Sequence, residues 1–257
     1  MAGVAVKLET RGALGRVATI TVENQGKLNI LDPPRMAELE RVLAVLAGDA
    51  ELRVLVLRGA GSKAFIGGAD IRAMAGLDAS TAREFISGLH RVCEGLRRLP
   101  VPAIARIEGY ALGAGLEIAA ACDMRVAAVG AKLGMPEVKV GIPSVIEAAL
   151  LPQLIGWGRT RRLLFTGETI DAEKAERWGL LERVVEAQAL DAAVEEWIAA
   201  ILAAGPHAIR LQKSLIRQWE ELTTSAAIRR GIDTFADAYA TAEPAERMEA
   251  FLKRQRP

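Results

Sequence analysis

Two glutamates and two glycine-rich turns are the residues here whose types and spacing could do chemistry. Residues 109–123, GYALGAGLEIAAACD, leave a strand, bend through Gly109, Gly113 and Gly115, and enter an Ala-rich helix. The first N–H groups of a helix lack internal partners and its dipole favours negative charge there, so such a turn could stabilise an oxyanion. Glu117 in the first helical turn could move a proton, or could simply complement the dipole. Residues 134–143, GMPEVKVGIP, place Glu137 after a proline in an apolar stretch, where a carboxylate is either a proton-transfer group or a charge at the solvent edge. In residues 63–74, KAFIGGADIRAM, adjacent Gly67 and Gly68 let the backbone approach a ligand before residues 70–74 turn helical. A tight turn without function is the other reading of that pair. Ser144-Val145-Ile146-Glu147 has capping-box spacing, which predicts that Glu147 caps the helix running to Ile155 rather than acting as a third catalytic carboxylate.

The elements that must position these groups alternate between short apolar runs and longer amphipathic ones, the pattern of an α/β fold. Residues 17–22, 52–57, 103–107 and 124–129 read as strands, and residues 1–10 alternate like one. Residues 34–46 are helical by spacing (Met36, Leu39, Val42, Leu43, Leu46), with Asp32 as N-cap and prolines in the first turn. Residues 82–99 form a second helix, ended by Pro100 and Pro102. From about Pro206 the strand signal vanishes, and residues 209–221, 226–239 and 244–252 are helical. The plan is an α/β core over residues 1–200 and a helical region over residues 201–257.

Composition narrows the classes. The 257 residues carry a formal net charge of +1, which implies no broad basic face for nucleic acid, so an acidic ligand would need a local cationic patch. Cys93 and Cys122 fit buried reduced thiols and cannot build a structural zinc site, and His90 and His207 lack metal-ligand spacing. Charges interrupt every apolar stretch, and the N-terminus lacks the apolar segment of a signal peptide, so a cytoplasmic protein with no membrane partner is expected.

With these residues in view, the chain resembles the enoyl-CoA hydratase/isomerase (crotonase) family over nearly its whole length. Residues 64–74, 109–123, Pro136-Glu137 and the following helix, 163–185 and 241–254 carry the resemblance. It implies a crotonase-like spiral of β-β-α repeats with a C-terminal helical trimerisation region, assembled as a homotrimer or a hexamer of paired trimers. It implies reversible addition of water to a 2-enoyl-CoA, giving a 3-hydroxyacyl-CoA, with no tightly bound cofactor beyond the coenzyme A of the substrate and no metal. By position, Ala69 and Ala114 would offer the two oxyanion-hole N–H groups. Glu117 would orient and deprotonate the water, and Glu137 would deliver the α-proton. Many relatives carry glycine where this chain has Ala114, whose methyl restricts φ. Coenzyme A would lie along Lys63, Ala64, Phe65, Ile66, Gly67, Gly68 and Ala69, with Asp70 and Ile71 following. Phe235 and Arg254 (or Lys253) would help hold it, although Phe235 also reads as ordinary helix core. Where many hydratases have a glycine-rich turn after the second glutamate, this chain has Pro143-Ser144-Val145-Ile146, which should reshape the acyl pocket.

Isomerases of the family usually keep one acid at these two positions, so the pair Glu117 and Glu137 favours hydration, with isomerisation the alternative. A non-catalytic acyl-CoA-binding protein would need neither. Gly59-Ala60-Gly61-Ser62-Lys63-Ala64 formally fits a dinucleotide fingerprint, but residues 65–68 interrupt the helix that must follow. No G-x-S-x-G elbow for a serine hydrolase occurs.

Overall fold

The computed structural model describes residues 3–24, 26 and 28–254; the side chain of Arg254 lies outside the described residues. Strand β1 (Val4–Thr10) runs antiparallel to β2 (Arg16–Val22), and helix α1 (Pro33–Ala47) follows. Asp32 caps α1 by accepting from the Arg35 N–H at 3.1 Å, and Met36, Leu39, Val42, Leu43 and Leu46 are its buried face.

A β-β-α unit then repeats. β3 (Leu52–Gly59) and β4 (Ala64–Ile66) precede α2 (Ile71–Met74) and α3 (Ala79–Arg98). β5 (Ala103–Ile107) and β6 (Tyr110–Leu112) precede α4 (Ala114–Ala121). β7 (Met124–Ala128) and β8 (Lys132–Gly134) lead through 3-10 turns at Glu137–Val140 and Ile146–Leu150 into α5 (Leu151–Thr166). β9 (Thr169–Asp171), α6 (Ala172–Trp178) and β10 (Arg183–Val185) close the strand-bearing part. Each unit gives its first strand to one sheet, ordered β1-β2-β3-β5-β7-β10, and its second to another, ordered β4-β6-β8-β9. This is the spiral that the resemblance implies.

Helices α7 (Leu190–Ala203), α8 (Pro206–Trp219), α9 (Thr224–Ala238) and α10 (Glu243–Arg254) follow. The large sheet is covered on both faces, which is why β3 and β5 are largely apolar on both sides, with Arg53, Arg58 and Arg106 the exceptions. One face packs against α1, α3 and α4, and the other puts Val54, Val56, Ile104 and Val126 against Leu190, Val194, Ile198 and Leu202 of α7. Two buried cations fasten the helices. Arg53 donates to the carbonyls of Leu14 (2.8 Å), Ile201 (3.1 Å) and Ala204 (2.8 Å), the last two at the end of α7. Lys213 of α8 reaches Leu96 O, Val101 O and Asp123. By contrast, α9 and α10 expose Ile228, Ile232, Phe235, Tyr239, Met248, Phe251 and Leu252.

Helix α3 starts earlier than its apolar spacing suggests, because Asp78 and Thr81 form a reciprocal capping box. Cys93 and Cys122 are free and buried. Among the described residues no helix is long and apolar enough to cross a membrane, and no cluster of three or more His, Cys, Asp or Glu could hold a metal ion.

Candidate active site

The two glycine-rich turns are pressed together. A Cβ added to Gly115 would lie 2.0 Å from Ile66 O, and one added to Gly68 would lie 3.4 Å from Leu112 O. Only glycine permits that approach at residue 115. Gly113 is the N-cap of α4, with φ at +53°, and its N–H donates to Gly134 O of β8 at 2.9 Å. Ala69 pairs with Leu31 in an isolated bridge made by the amides of its neighbours: Leu31 donates to Gly68 O, and Asp70 donates to Leu31 O. Among the described residues neither the Ala69 nor the Ala114 N–H donates to a carbonyl or side chain. Two main-chain donors on abutting turns are thus left available.

A buried asparagine that sequence reasoning missed holds the loop that leads into β4, ahead of the first glycine turn. Asn29, 1% exposed and itself at a φ of +55°, donates to Ala60 O (2.9 Å) and Ala64 O (2.8 Å), clamping the loop from β3 to β4. Replacing Asn29 by alanine removes both donations and the acceptor for the Asn24 N–H, at about 1–3 kcal/mol for each buried group left unpaired. Urea unfolding of N29A should show that loss as a lower midpoint with an unchanged slope.

Glu117 sits on the first turn of α4 and is 4% exposed. Its Oε1 accepts from the Ala148 N–H at 3.2 Å. Burial, opposed by that hydrogen bond but reinforced by the nearby Glu137 and Glu147 carboxylates, pushes its pKa up to about 8. Glu137 opens the 3-10 turn after Pro136 and is half-buried. Its Oε1 fills the space beside Gly113, 2.5 Å from where a Cβ there would stand, and its Oε2 accepts from Ser144 Oγ at 2.8 Å. The two carboxylates therefore flank one helix start, close enough for the charge on Glu137 to act on Glu117.

The capping-box expectation for Glu147 is overturned. The Ser144 hydroxyl is engaged by Glu137, the turn at Ile146–Leu150 has no side-chain cap, and Glu147 is buried at 4% exposure. Its Oε1 lies 2.9 Å from His90 Nδ1 of α3. Ile146 before it has a φ of +41°, a strained conformation for a β-branched residue. Thus the segment without the usual glycines keeps a glycine-like backbone and accepts the strain.

Of the residues expected along coenzyme A, Lys63 and Ile71 are exposed, and Gly67, Ala69 and Asp70 are half-buried. Ala64, Phe65 and Ile66 point their side chains into the core, leaving only their backbone to a ligand, and Gly68 is buried with φ at +123°. Asp70 caps α2 through the Arg72 N–H. Ala64–Ile66 is strand, so the dinucleotide fingerprint has no helix to serve. Phe235 is 67% exposed on α9, edge-to-face with Tyr239, so within this chain it is not helix core. Lys253 pairs with Glu249 on the exposed face of α10.

The chain matches known proteins along its length. The family model described as enoyl-CoA hydratase/isomerase matches residues 13–257. The short-chain-enoyl-CoA hydratase of Clostridium acetobutylicum is 33% identical over 243 residues, covering 94% of this chain and 93% of that protein. The crotonyl-CoA hydratase of Syntrophomonas wolfei is 34% identical over 242 residues, with the same two coverages, 94% and 93%. The crystal structure of an enoyl-CoA hydratase from Bacillus anthracis superposes with a TM-score of 0.91 at 32% identity, covering 99% of this chain and 97% of that one. By sequence and by fold, this chain belongs to the enoyl-CoA hydratase/isomerase family.

Proposed function

We propose that the protein is an enoyl-CoA hydratase that adds water reversibly to a 2-enoyl-CoA. The observation that carries this reading is the pair Glu117 and Glu137 at one helix start, beside two unengaged amides on abutting glycine turns. In the reaction, the thioester oxygen accepts from the Ala69 and Ala114 N–H groups. Glu117 holds a water and takes one of its protons as the oxygen bonds to the β-carbon. Electrons from the alkene move onto the thioester oxygen as an enolate, which the two amides stabilise; losing one such donor typically costs about 10²–10³ in rate. The enolate collapses as Glu137 delivers a proton to the α-carbon. The Ser144 hydroxyl on Glu137 Oε2 and the Ala148 amide on Glu117 Oε1 keep both carboxyl groups aimed.

The half-buried Gly67, Ala69 and Asp70 and the exposed Lys63 support binding of the coenzyme A moiety there. Phe235 and Arg254 of the C-terminal helices would help hold it. The uncovered apolar residues of α9 and α10 support assembly as a homotrimer or as paired trimers, since so large an exposed apolar surface marks a partner. In this division residues 1–200 carry the site and residues 201–257 the assembly surface, with no tightly bound cofactor. Free buried thiols accord with the reducing cytoplasm.

The test is a paired assay. Crotonyl-CoA should lose its enoyl absorbance and yield the 3-hydroxyacyl-CoA by mass spectrometry. Turnover of a 3-enoyl-CoA to its 2-isomer without hydration of crotonyl-CoA would make the protein an isomerase instead.

A further inference from the structure

A third carboxylate stands behind the pair, and the proposed hydration gives it no task. Glu147 is buried between α3 and the start of α4, and its chain neighbour Ala148 gives its amide to Glu117. Its Oε1 meets His90, whose side chain is 49% exposed, while its Oε2 is buried with no hydrogen-bond partner among the described residues. A carboxylate oxygen left so is expensive, and sequences rarely keep one where it does nothing. Ile146, the residue before it, keeps a φ of +41°.

We propose that Glu147, tethered to His90, is a positioning residue that fixes the Ala148 amide on Glu117 and governs when Glu117 carries its proton. The inference rests on Glu117 being the group that handles water in the proposed reaction. Every charged or titratable neighbour bears on it. Glu117 is faced by Glu137 from the 137–140 turn and by Glu147 from the 146–150 turn, and both disfavour its charged form. Glu147 is faced from α3 by His90 and by the thiol of Cys93, which burial first, and then the Glu147 and Glu117 carboxylates, push well up. Arg97 of α3 also feels it, although that guanidinium is engaged by Glu220 and Glu94. His90, half-exposed on α3, is the neighbour that joins Glu147 to solvent.

The direct reading is the titration midpoint of Glu117, followed by NMR of carboxyl-¹³C glutamate in the full chain and assigned with E117Q. In E147Q, which keeps the size and one oxygen of the side chain, the midpoint should fall by about one pH unit, as expected when a like charge is removed nearby. E147D should restore it. The acidic limb of kcat/KM for crotonyl-CoA should move with it, whereas a merely structural role would lower the plateau and leave the limb in place. An unmoved Glu117 midpoint in folded E147Q overturns the proposal. If E147Q does not fold, an unmoved midpoint in H90N overturns it instead, and a displaced one supports it. Failure of the wild-type protein to hydrate crotonyl-CoA would sink the proposed function without touching the titration, so the two failures are distinguishable.

Discussion

Glu137→Gln should fold like the wild type and hydrate crotonyl-CoA about 10²–10⁴ times more slowly. Glutamine has the same shape, can still accept from Ser144 Oγ, and fits beside Gly113 where the carboxylate now lies. It has no acidic proton to give the α-carbon. The loss should therefore fall on kcat, with KM for the thioester little changed, because the binding backbone of residues 67–70 is untouched. Circular dichroism and a thermal melt would confirm an intact fold, and steady-state kinetics would read the loss. Turnover at the wild-type rate would remove Glu137 from the reaction.

Glu117→Gln carries the second large effect, and its two readouts point in opposite directions. Hydration should fall by a similar factor, about 10²–10⁴, because the amide cannot take a proton from water. Stability should rise. The carboxyl of Glu117 has an ordinary value of 4.5 when unfolded and is pushed up to about 8 in the fold by burial and its acidic neighbours. Between those values the folded state binds more protons than the unfolded one, so raising the pH weakens the fold. Below pH 4.5 both states are protonated and the difference between wild type and E117Q is small; it grows through the interval and levels off above about 8. The variant should therefore gain up to a few kcal/mol over the wild type at alkaline pH. Urea midpoints for both proteins across that range would measure it. A constant difference would mean that Glu117 is not held in its neutral form by the fold.

The long elements were legible in the sequence because each carries many periods of its pattern. Helix α1 shows five buried residues at helical spacing behind an Asp32 cap, and β5 is apolar at every position but Arg106. The strands of the second sheet were not legible as strands. β4, β6, β8 and β9 have three residues each, too few for an alternation to declare itself, and they exist because neighbouring coils supply their hydrogen bonds. Glu117 and Glu137 stood out by type and by the turns around them. Glu147 was read from local spacing as a cap, and the fold overruled it. Ser144 found a stronger acceptor in Glu137, and His90, 57 positions away, found Glu147. Asn29 gave no signal either, since its partners Ala60 and Ala64 are backbone groups brought to it by the sheets.

The abutting glycine turns belong to successive coils of the spiral, one between β4 and α2 and the other between β6 and α4. The spacing of their amides is consequently a pitch, fixed by how one coil stacks on the next rather than by any side chain. Side chains around the pocket can then change freely while the gauge for the thioester stays the same. A single extra methyl at Gly115 would alter the gauge itself.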